Sequence, residues 1–166
     1  RRGRPEGFQA LYLRYSAYLY TLALRMLRQT HAAEDAVQEA FTAAFRSLNE
    51  FRGEARLKTW LYTILYRAAL RVQEKNRQEV PMERLDLGAG PGHERSVDTR
   101  LDVRDALDRL DSRDRAVLIM AYWDDLSCRE IAEVMELKEN HVKILLFRAR
   151  ERFSRIWTRS SQEGGT

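Results

Sequence analysis

Residues 51–71 read FRGEARLKTWLYTILYRAALR, and this stretch interleaves two chemistries. Apolar residues recur at helical spacing and predict one buried stripe, formed by Leu57, Trp60, Leu61, Ile64, Leu65 and Ala68. Between them stand the basic residues Arg52, Arg56, Lys58, Arg67 and Arg71 and the rings of Phe51, Tyr62 and Tyr66. Cations contact phosphates, and exposed aromatic rings stack on unpaired bases. The stretch therefore predicts either a core helix with a solvated basic face or a surface for single-stranded nucleic acid.

The composition of the 166 residues, 44% hydrophobic and 33% charged, predicts a soluble globular protein. The net charge of +4 permits an anionic partner without requiring one. Cys128 is the single cysteine, so an internal disulfide is excluded and a reducing cytoplasm is expected. No apolar run reaches the length of a membrane span, and no signal peptide is visible. Because the chain begins at Arg1 rather than Met, we expect a trimmed start.

Glycine and proline divide the chain. Between Phe8 and Val80 the only one is Gly53, and between His93 and Glu163 there is none. Turn-forming residues cluster between these segments, at Pro81, Gly88, Gly90, Pro91 and Gly92. The pattern predicts an all-α fold of two small helical domains, residues 5–80 and 98–160, joined by a flexible linker over residues 81–97.

The first domain separates its charges. Thr30 is the expected N-cap of a helix that contains no Lys or Arg from His31 to Phe45 and carries an acidic face of Glu34, Asp35, Gln38 and Glu39. From Arg46 to Gln78, eight basic residues outnumber three acidic ones. The two faces suggest two different partners, although ordinary surface charge gives the same pattern.

The second domain has the signature of a helix-turn-helix. Asp111 or Ser112 is expected to cap one helix, and Ser127 with Glu130 forms a capping box for the next. Asn140 is the expected cap of a final helix. From Asn140 to Arg159 this helix contains six basic residues and one acidic residue. A short helix, a tight connection and a longer basic helix favour duplex DNA as the ligand over a generic helical hairpin.

Several runs of the sequence resemble known motifs. The runs Glu34–Phe41 (EDAVQEAF), Phe51–Glu54 (FRGE) and Lys58–Tyr62 (KTWLY) resemble region two of extracytoplasmic-function sigma factors. Leu126–Val134, Val142-Lys143 and Arg148–Arg150 resemble region four of the same family. The order of the runs, the linker and the length also fit, so the resemblance covers nearly the whole chain.

The resemblance implies an alternative sigma factor, a cytoplasmic subunit of bacterial RNA polymerase with no cofactor and no metal. It implies that core polymerase binds Glu34, Asp35, Gln38 and Glu39. The single-stranded minus-ten element would contact Asn49, Phe51, Arg52, Arg56, Lys58, Thr59, Trp60, Tyr62, Tyr66 and Arg67. The duplex minus-thirty-five element would contact Arg129, His141, Lys143, Ile144, Leu145 and Arg148. It further implies an anti-sigma factor, often membrane-bound, that could hold the chain near a membrane without insertion.

Departures from the family pattern keep alternatives open. Tyr66-Arg67 replaces Arg-Asn, Glu136 replaces the turn glycine, and Ile144-Leu145 replaces Ser-Arg. Ile144 and Leu145 could touch thymine methyls, pack against the domain or dock on a protein. A decoy that sequesters an anti-sigma factor is therefore one alternative. An ordinary helix-turn-helix regulator is another. An enzyme is not expected, because His31, His93 and His141 are scattered and show no metal-ligand or nucleophile-base spacing.

Overall fold

The computed structural model describes residues 4–48, 51, 57–79 and 103–163. Side chains are described for residues 6–48, 51, 57–77 and 103–159. Over these ranges the chain forms α-helices and no strand, which confirms the all-α prediction. The helices are α1 (Arg4–Leu27), α2 (Thr30–Ser47), α3 (Leu57–Glu79), α4 (Val103–Asp108), α5 (Ser112–Tyr122), α6 (Cys128–Met135) and α7 (Glu139–Glu163).

The chain divides into two compact units, Arg1–Leu87 and Gly88–Thr166. The first unit contains α1 to α3 and the second contains α4 to α7. The predicted linker, residues 81–97, lies outside the described residues. The domain limits at residues 5, 80, 98 and 160 therefore stay predictions.

In the first unit, each of the three helices contacts the other two. The face that α2 turns inward is made mainly of alanines, at Ala32, Ala33, Ala36, Ala40 and Ala44. Small side chains let helices approach closely, because the interaxial distance depends on the residues at the contact. Larger residues of α1 and α3, among them Leu19, Leu22, Leu61 and Leu65, fill the core against them.

The buried surface of α3 is wider than the apolar stripe that the sequence predicted. Leu61, Leu65 and Ala68 are buried as expected, whereas Leu57, Trp60 and Ile64 are half-buried. The buried arc extends instead to Tyr62, Tyr66, Ala69 and Val72. The physical reason is that α3 packs against both α1 and α2, so it buries a wider arc than a helix with one neighbour.

The connection between α1 and α2 also differs from the prediction. Arg28 adopts a left-handed conformation with φ of 65°, and Gln29 is the N-cap residue in an extended conformation without a side-chain capping bond. Thr30 was predicted to be the cap but is the first helical residue. The left-handed Arg28 is followed directly by the N-cap Gln29. Helix α2 therefore starts one residue earlier than it would with Thr30 as its cap.

In the second unit, α7 packs against α4, α5 and α6. Buried residues of α7, Val142, Leu146 and Ala149, meet a core that includes Val117, Met120, Ile131 and Val134. Asp111 is the N-cap of α5, as predicted, and its Oδ1 accepts a hydrogen bond from the Asp114 backbone N–H at 2.8 Å. The long helix α7 is thus held against three neighbours along one side, which leaves its other side exposed.

Candidate nucleic-acid and protein interfaces

The acidic face of α2 lies on the surface. Glu34, Asp35, Gln38 and Glu39 are all exposed, and their spacing places them on one side of the helix. Two of the carboxylates have basic neighbours: Glu39 Oε2 lies 3.2 Å from Arg71 Nε, and Glu34 Oε2 lies 3.7 Å from His31 Nδ1. The structure therefore brings the four predicted docking residues together, with Glu39 also tied to α3.

An aromatic groove of about 960 Å³ runs beside this acidic face, between α1 and α2. Phe8 packs edge-on against Phe45 with ring centroids 4.9 Å apart, and Tyr12 meets Phe41 at 4.7 Å. Glu34 and Gln38 also line the groove. The sequence analysis missed it, although aromatic residues four apart on both helices, Phe8 with Tyr12 and Phe41 with Phe45, were the available signal.

The predicted single-strand surface of α3 is smaller than expected. Tyr62 is 0% exposed, Tyr66 is 7% exposed and Thr59 is 3% exposed, so none of the three offers a surface to a base. The expectation of exposed tyrosine rings is wrong, because both rings face the helices that α3 packs against. Stacking on either ring would require α3 to leave the core.

Other predicted minus-ten residues remain accessible. Phe51 and Trp60 are half-buried and their rings meet at 4.9 Å with a tilt of 43°. Lys58 lies with its ammonium 5.1 Å from the centre of the Tyr18 ring, and Arg67 is exposed. Asn49, Arg52 and Arg56 fall outside the described residues. The described part of this surface thus consists of one aromatic pair with cations on the same segment.

The helix-turn-helix forms as predicted around its capping box. Ser127 Oγ accepts from the Glu130 backbone N–H at 3.2 Å, and Glu130 Oε2 accepts from the Ser127 backbone N–H at 2.9 Å. At the other end of α6, Glu136 adopts a left-handed conformation with φ of 55°, where glycine is favoured. The final helix begins at Glu139, so the predicted cap Asn140 lies inside its first turn.

Replacing Glu136 by glycine is expected to stabilise the second unit. A non-glycine residue in the left-handed region costs about 1 kcal/mol, which glycine avoids. Glu136→Ala is the matched control, because it removes the same side chain and keeps the backbone strain. Urea denaturation followed by circular dichroism should place Glu136→Gly about 1 kcal/mol above Glu136→Ala, and equal stability of the two variants would contradict a strained turn.

The outward side of α7 carries most of the predicted duplex-reading residues. His141, Lys143, Ile144 and Arg148 are exposed, whereas Leu145 is half-buried toward the domain. Arg129 on α6 is also exposed. Phe147, which the sequence analysis did not select, is 61% exposed one turn after Ile144, which is 50% exposed. Its spacing from Ile144 was the signal that could have identified it.

The cations of α7 are not equally available. Lys143 Nζ lies 2.9 Å from Glu139 Oε1, and this hydrogen-bonded carboxylate raises the pKa of Lys143. Arg155 pairs with Glu151 at 3.6 Å. Arg148 and Arg150 have no ion-pair partner within the part of the chain that the structure describes, so they are the cations best placed for phosphate or base contacts.

Arg152 is used inside the second unit. Its Nη1 lies 3.1 Å from Asp111 Oδ2 and forms a short ion pair with the buried Asp114, whose hydrogen bond raises the pKa of the guanidinium. The two carboxylates lie at the start of α5, so the contact fixes the middle of α7 against that helix end. Arg152, which the sequence analysis counted among the basic residues of the final helix, therefore holds α7 against the start of α5.

The described ranges lack two further features. Within residues 4–48, 51, 57–79 and 103–163, no group of three or more His, Cys, Asp or Glu side chains could hold a metal ion. In the same ranges, the helices lack the length and apolar character needed to cross a bilayer.

Known proteins match both units. Residues 11–79 match the family described as Sigma-70 region 2, and residues 100–153 match Sigma-70, region 4. The chain is 35% identical over 135 residues to the RNA polymerase sigma factor SigV of Bacillus subtilis, covering 78% of each protein. It is 30% identical over 156 residues to the ECF RNA polymerase sigma factor SigM of Mycobacterium tuberculosis, covering 93% of this chain and 79% of that protein.

Solved structures share the fold. The sigma factor RpoE of Bartonella quintana, solved with the anti-sigma factor NepR, aligns over 92% of this chain and 98% of its own with a TM-score of 0.69 and 24% identity. CnrH, solved with the cytosolic domain of CnrY, aligns over 92% of this chain and 88% of its own with a TM-score of 0.64 and 24% identity.

Proposed function

The chain belongs to the extracytoplasmic-function family of sigma factors, and from that premise we propose how its two units divide the work of transcription initiation. It is an alternative sigma factor, and its partners are core RNA polymerase and promoter DNA. The first unit binds the polymerase and captures the separated minus-ten strand. The second unit binds the upstream minus-thirty-five duplex. The observation that carries this division is an exposed acidic face on one unit and an exposed basic helix on the other.

Polymerase docking is assigned to the acidic face of α2. Glu34, Asp35 and Gln38 are exposed on one side of α2, so the two carboxylates and the amide are accessible to a basic surface. Glu39 contributes through the same face while it forms an ion pair with Arg71 of α3. An exposed ion pair of this kind contributes only about 0.2–1 kcal/mol, so a partner can rearrange it at little cost.

Strand capture is assigned to the Phe51–Trp60 pair and the cations of its segment, Lys58 and Arg67, with Asn49, Arg52 and Arg56 as further proposed contacts. Melting needs no covalent chemistry, only a site that binds single strand more tightly than duplex. Unpairing and unstacking a base costs a few kcal/mol, and stacking on a protein ring returns about 1–3 kcal/mol per base. Two rings with nearby phosphate contacts are therefore sufficient, and no catalytic group, metal or cofactor is assigned.

Duplex binding is assigned to α7, with Arg129 of α6 at its edge. Arg148 is exposed without an ion-pair partner among the described residues, and His141 stands in the first turn. Lys143 is exposed and charged at neutral pH, and its hydrogen bond to Glu139 raises its pKa further. These groups suit phosphate and base-edge contacts in a major groove.

Trp60→Ala is expected to reduce promoter opening by roughly tenfold, since it removes one stacking surface worth about 1–3 kcal/mol. Permanganate reactivity of minus-ten thymines in the holoenzyme complex measures opening directly. Trp60→Phe keeps a ring and should retain most of the reactivity. On a template with a pre-melted minus-ten bubble, transcript synthesis by holoenzyme that contains the alanine variant should recover.

The bubble template separates melting from misfolding, because a misfolded first unit fails on both templates. If the Phe51→Ala and Trp60→Ala variants both opened the promoter as well as the wild type does, the assignment of strand capture to this pair would be contradicted.

We also propose that a protein of the anti-sigma class restrains the chain in the cytoplasm. Support comes from the aromatic groove beside the acidic face, which gives an inhibitor apolar area next to the polymerase-binding charges. The decoy function is the second candidate, favoured by the exposed Ile144 and Phe147. A decoy would bind the inhibitor and leave promoter thymines unreactive to permanganate.

A further inference from the structure

Ile144 and Phe147 form an apolar patch on the outward side of α7. They stand three residues apart, which places them on the same helix face, opposite the buried Val142 and Ala149. Ile144 is 50% exposed and Phe147 is 61% exposed, so neither side chain is needed to fill the core. Two large apolar side chains left in water on a recognition helix point to a ligand with an apolar feature.

Cations surround the patch. Arg148 directly follows Phe147 and stands one turn after Ile144, and Arg150 is exposed farther along the helix. Neither has an ion-pair partner in the described ranges. The first turn adds Asn140 and His141, which are exposed hydrogen-bonding groups. The ligand must therefore present negative charge around an apolar spot, which duplex DNA does at its phosphates and base edges.

Thymine supplies the apolar group that the patch requires. In the major groove, the pattern that each base pair presents is polar except for the C5-methyl group of thymine, which apolar side chains contact. Leu145 is half-buried toward the domain and lies outside the patch. The family pattern of Ser-Arg at Ile144-Leu145 would favour hydrogen bonds to bases, whereas the observed side chains favour methyl contacts.

We propose that Ile144 and Phe147 determine specificity by contacting thymine methyl groups in the upstream duplex, while Arg148 anchors the neighbouring backbone. The proposal rests on the assignment of the second unit to duplex binding. It makes the methyl pattern of the minus-thirty-five element, rather than guanine contacts, the main source of its sequence discrimination.

Uracil substitution tests this contact, because uracil differs from thymine only by the methyl group. Holoenzyme containing the full chain would first select upstream sequences from a random duplex library with a fixed minus-ten region. Each selected thymine in the upstream element would then be replaced singly by uracil. Burying one methyl group corresponds to about fourfold in affinity, so at least one thymine should show a loss of about that size.

Variants assign the effect to the patch. Ile144→Ala and Phe147→Ala should bind thymine and uracil duplexes equally, each at a different position of the element. Arg148→Ala should weaken both duplexes alike, since it removes a contact that ignores the methyl group. Tyr122→Ala, which removes an exposed ring from α5, should retain the wild-type discrimination.

The outcomes distinguish a failure of the methyl contact from a failure of duplex binding. If holoenzyme selects and binds a duplex but thymine and uracil bind equally at every position, the methyl contact is overturned and duplex binding stands. If the alanine variants keep full discrimination, Ile144 and Phe147 do not contact the methyl groups and the proposal is wrong. If holoenzyme selects no upstream sequence, the duplex-binding function itself fails and the methyl contact fails with it.

Discussion

Arg115→Ala is expected to destabilise the second unit by about 1–3 kcal/mol. The Arg115 side chain is 7% exposed; its Nε donates to the Leu107 carbonyl at 3.0 Å, and its Nη2 donates to the Leu110 carbonyl at 2.8 Å. Leu107 lies in the last turn of α4, and Leu110 lies just beyond the end of that helix. Removing the guanidinium leaves the Leu110 carbonyl without this donor, and an unsatisfied buried acceptor costs about 1–3 kcal/mol. The Leu107 carbonyl keeps a hydrogen bond from the Leu110 backbone N–H at 3.1 Å.

Arg113→Ala is the matched control, because Arg113 is an exposed arginine two residues away on the same helix. It should change stability by less than about 0.5 kcal/mol, as surface substitutions usually do. Amide hydrogen exchange of peptides from α4, α5 and α7 reports this unit separately from the first. Equal protection in the two variants would show that the buried guanidinium does not join α4 to α5.

Glu34→Lys combined with Asp35→Lys is expected to weaken binding to core polymerase by at least about a hundredfold. Like charges placed against each other across an interface cost several kcal/mol, and each 1.4 kcal/mol is a factor of ten. Both side chains are exposed on α2, so the reversal should leave the fold intact. Glu39 is left unchanged, because reversing it would also disrupt the contact with Arg71.

The control for this variant carries the same change in net charge elsewhere. Glu6→Lys combined with Asp105→Lys reverses one exposed acid on α1 and one on α4. Its polymerase affinity should stay within about threefold of wild type, because surface charge away from an interface mainly alters association rate. Similar losses in both double variants would assign the effect to overall charge and contradict docking through α2.

Local signals in the sequence were sufficient for much of the fold. The capping box of Ser127 and Glu130 and the cap of Asp111 act within a few residues, so their chemistry can be read directly. The acidic face of α2 was predicted for the same reason, since one helical period determines which residues share a side. Glu136 was noted through the family resemblance, because it stands where a turn glycine is usual, and its backbone is left-handed.

Packing between helices could not be predicted locally. Tyr62 and Tyr66 lie beside the apolar stripe of α3, and only the contacts of α3 with both α1 and α2 make them core residues. Arg152 looked like one more cation of a basic helix. Its partner Asp114 is 38 residues away in the sequence, a separation that no helical period reveals.

The account depends most directly on recognition of core RNA polymerase by this chain. The measurement is the affinity of the purified full chain for core polymerase, followed by transcription from an upstream sequence that the resulting holoenzyme selects. The account predicts a stable one-to-one complex that opens the promoter and starts transcripts at one position. A chain that folds into its helices but neither binds core polymerase nor changes where it starts would contradict the account.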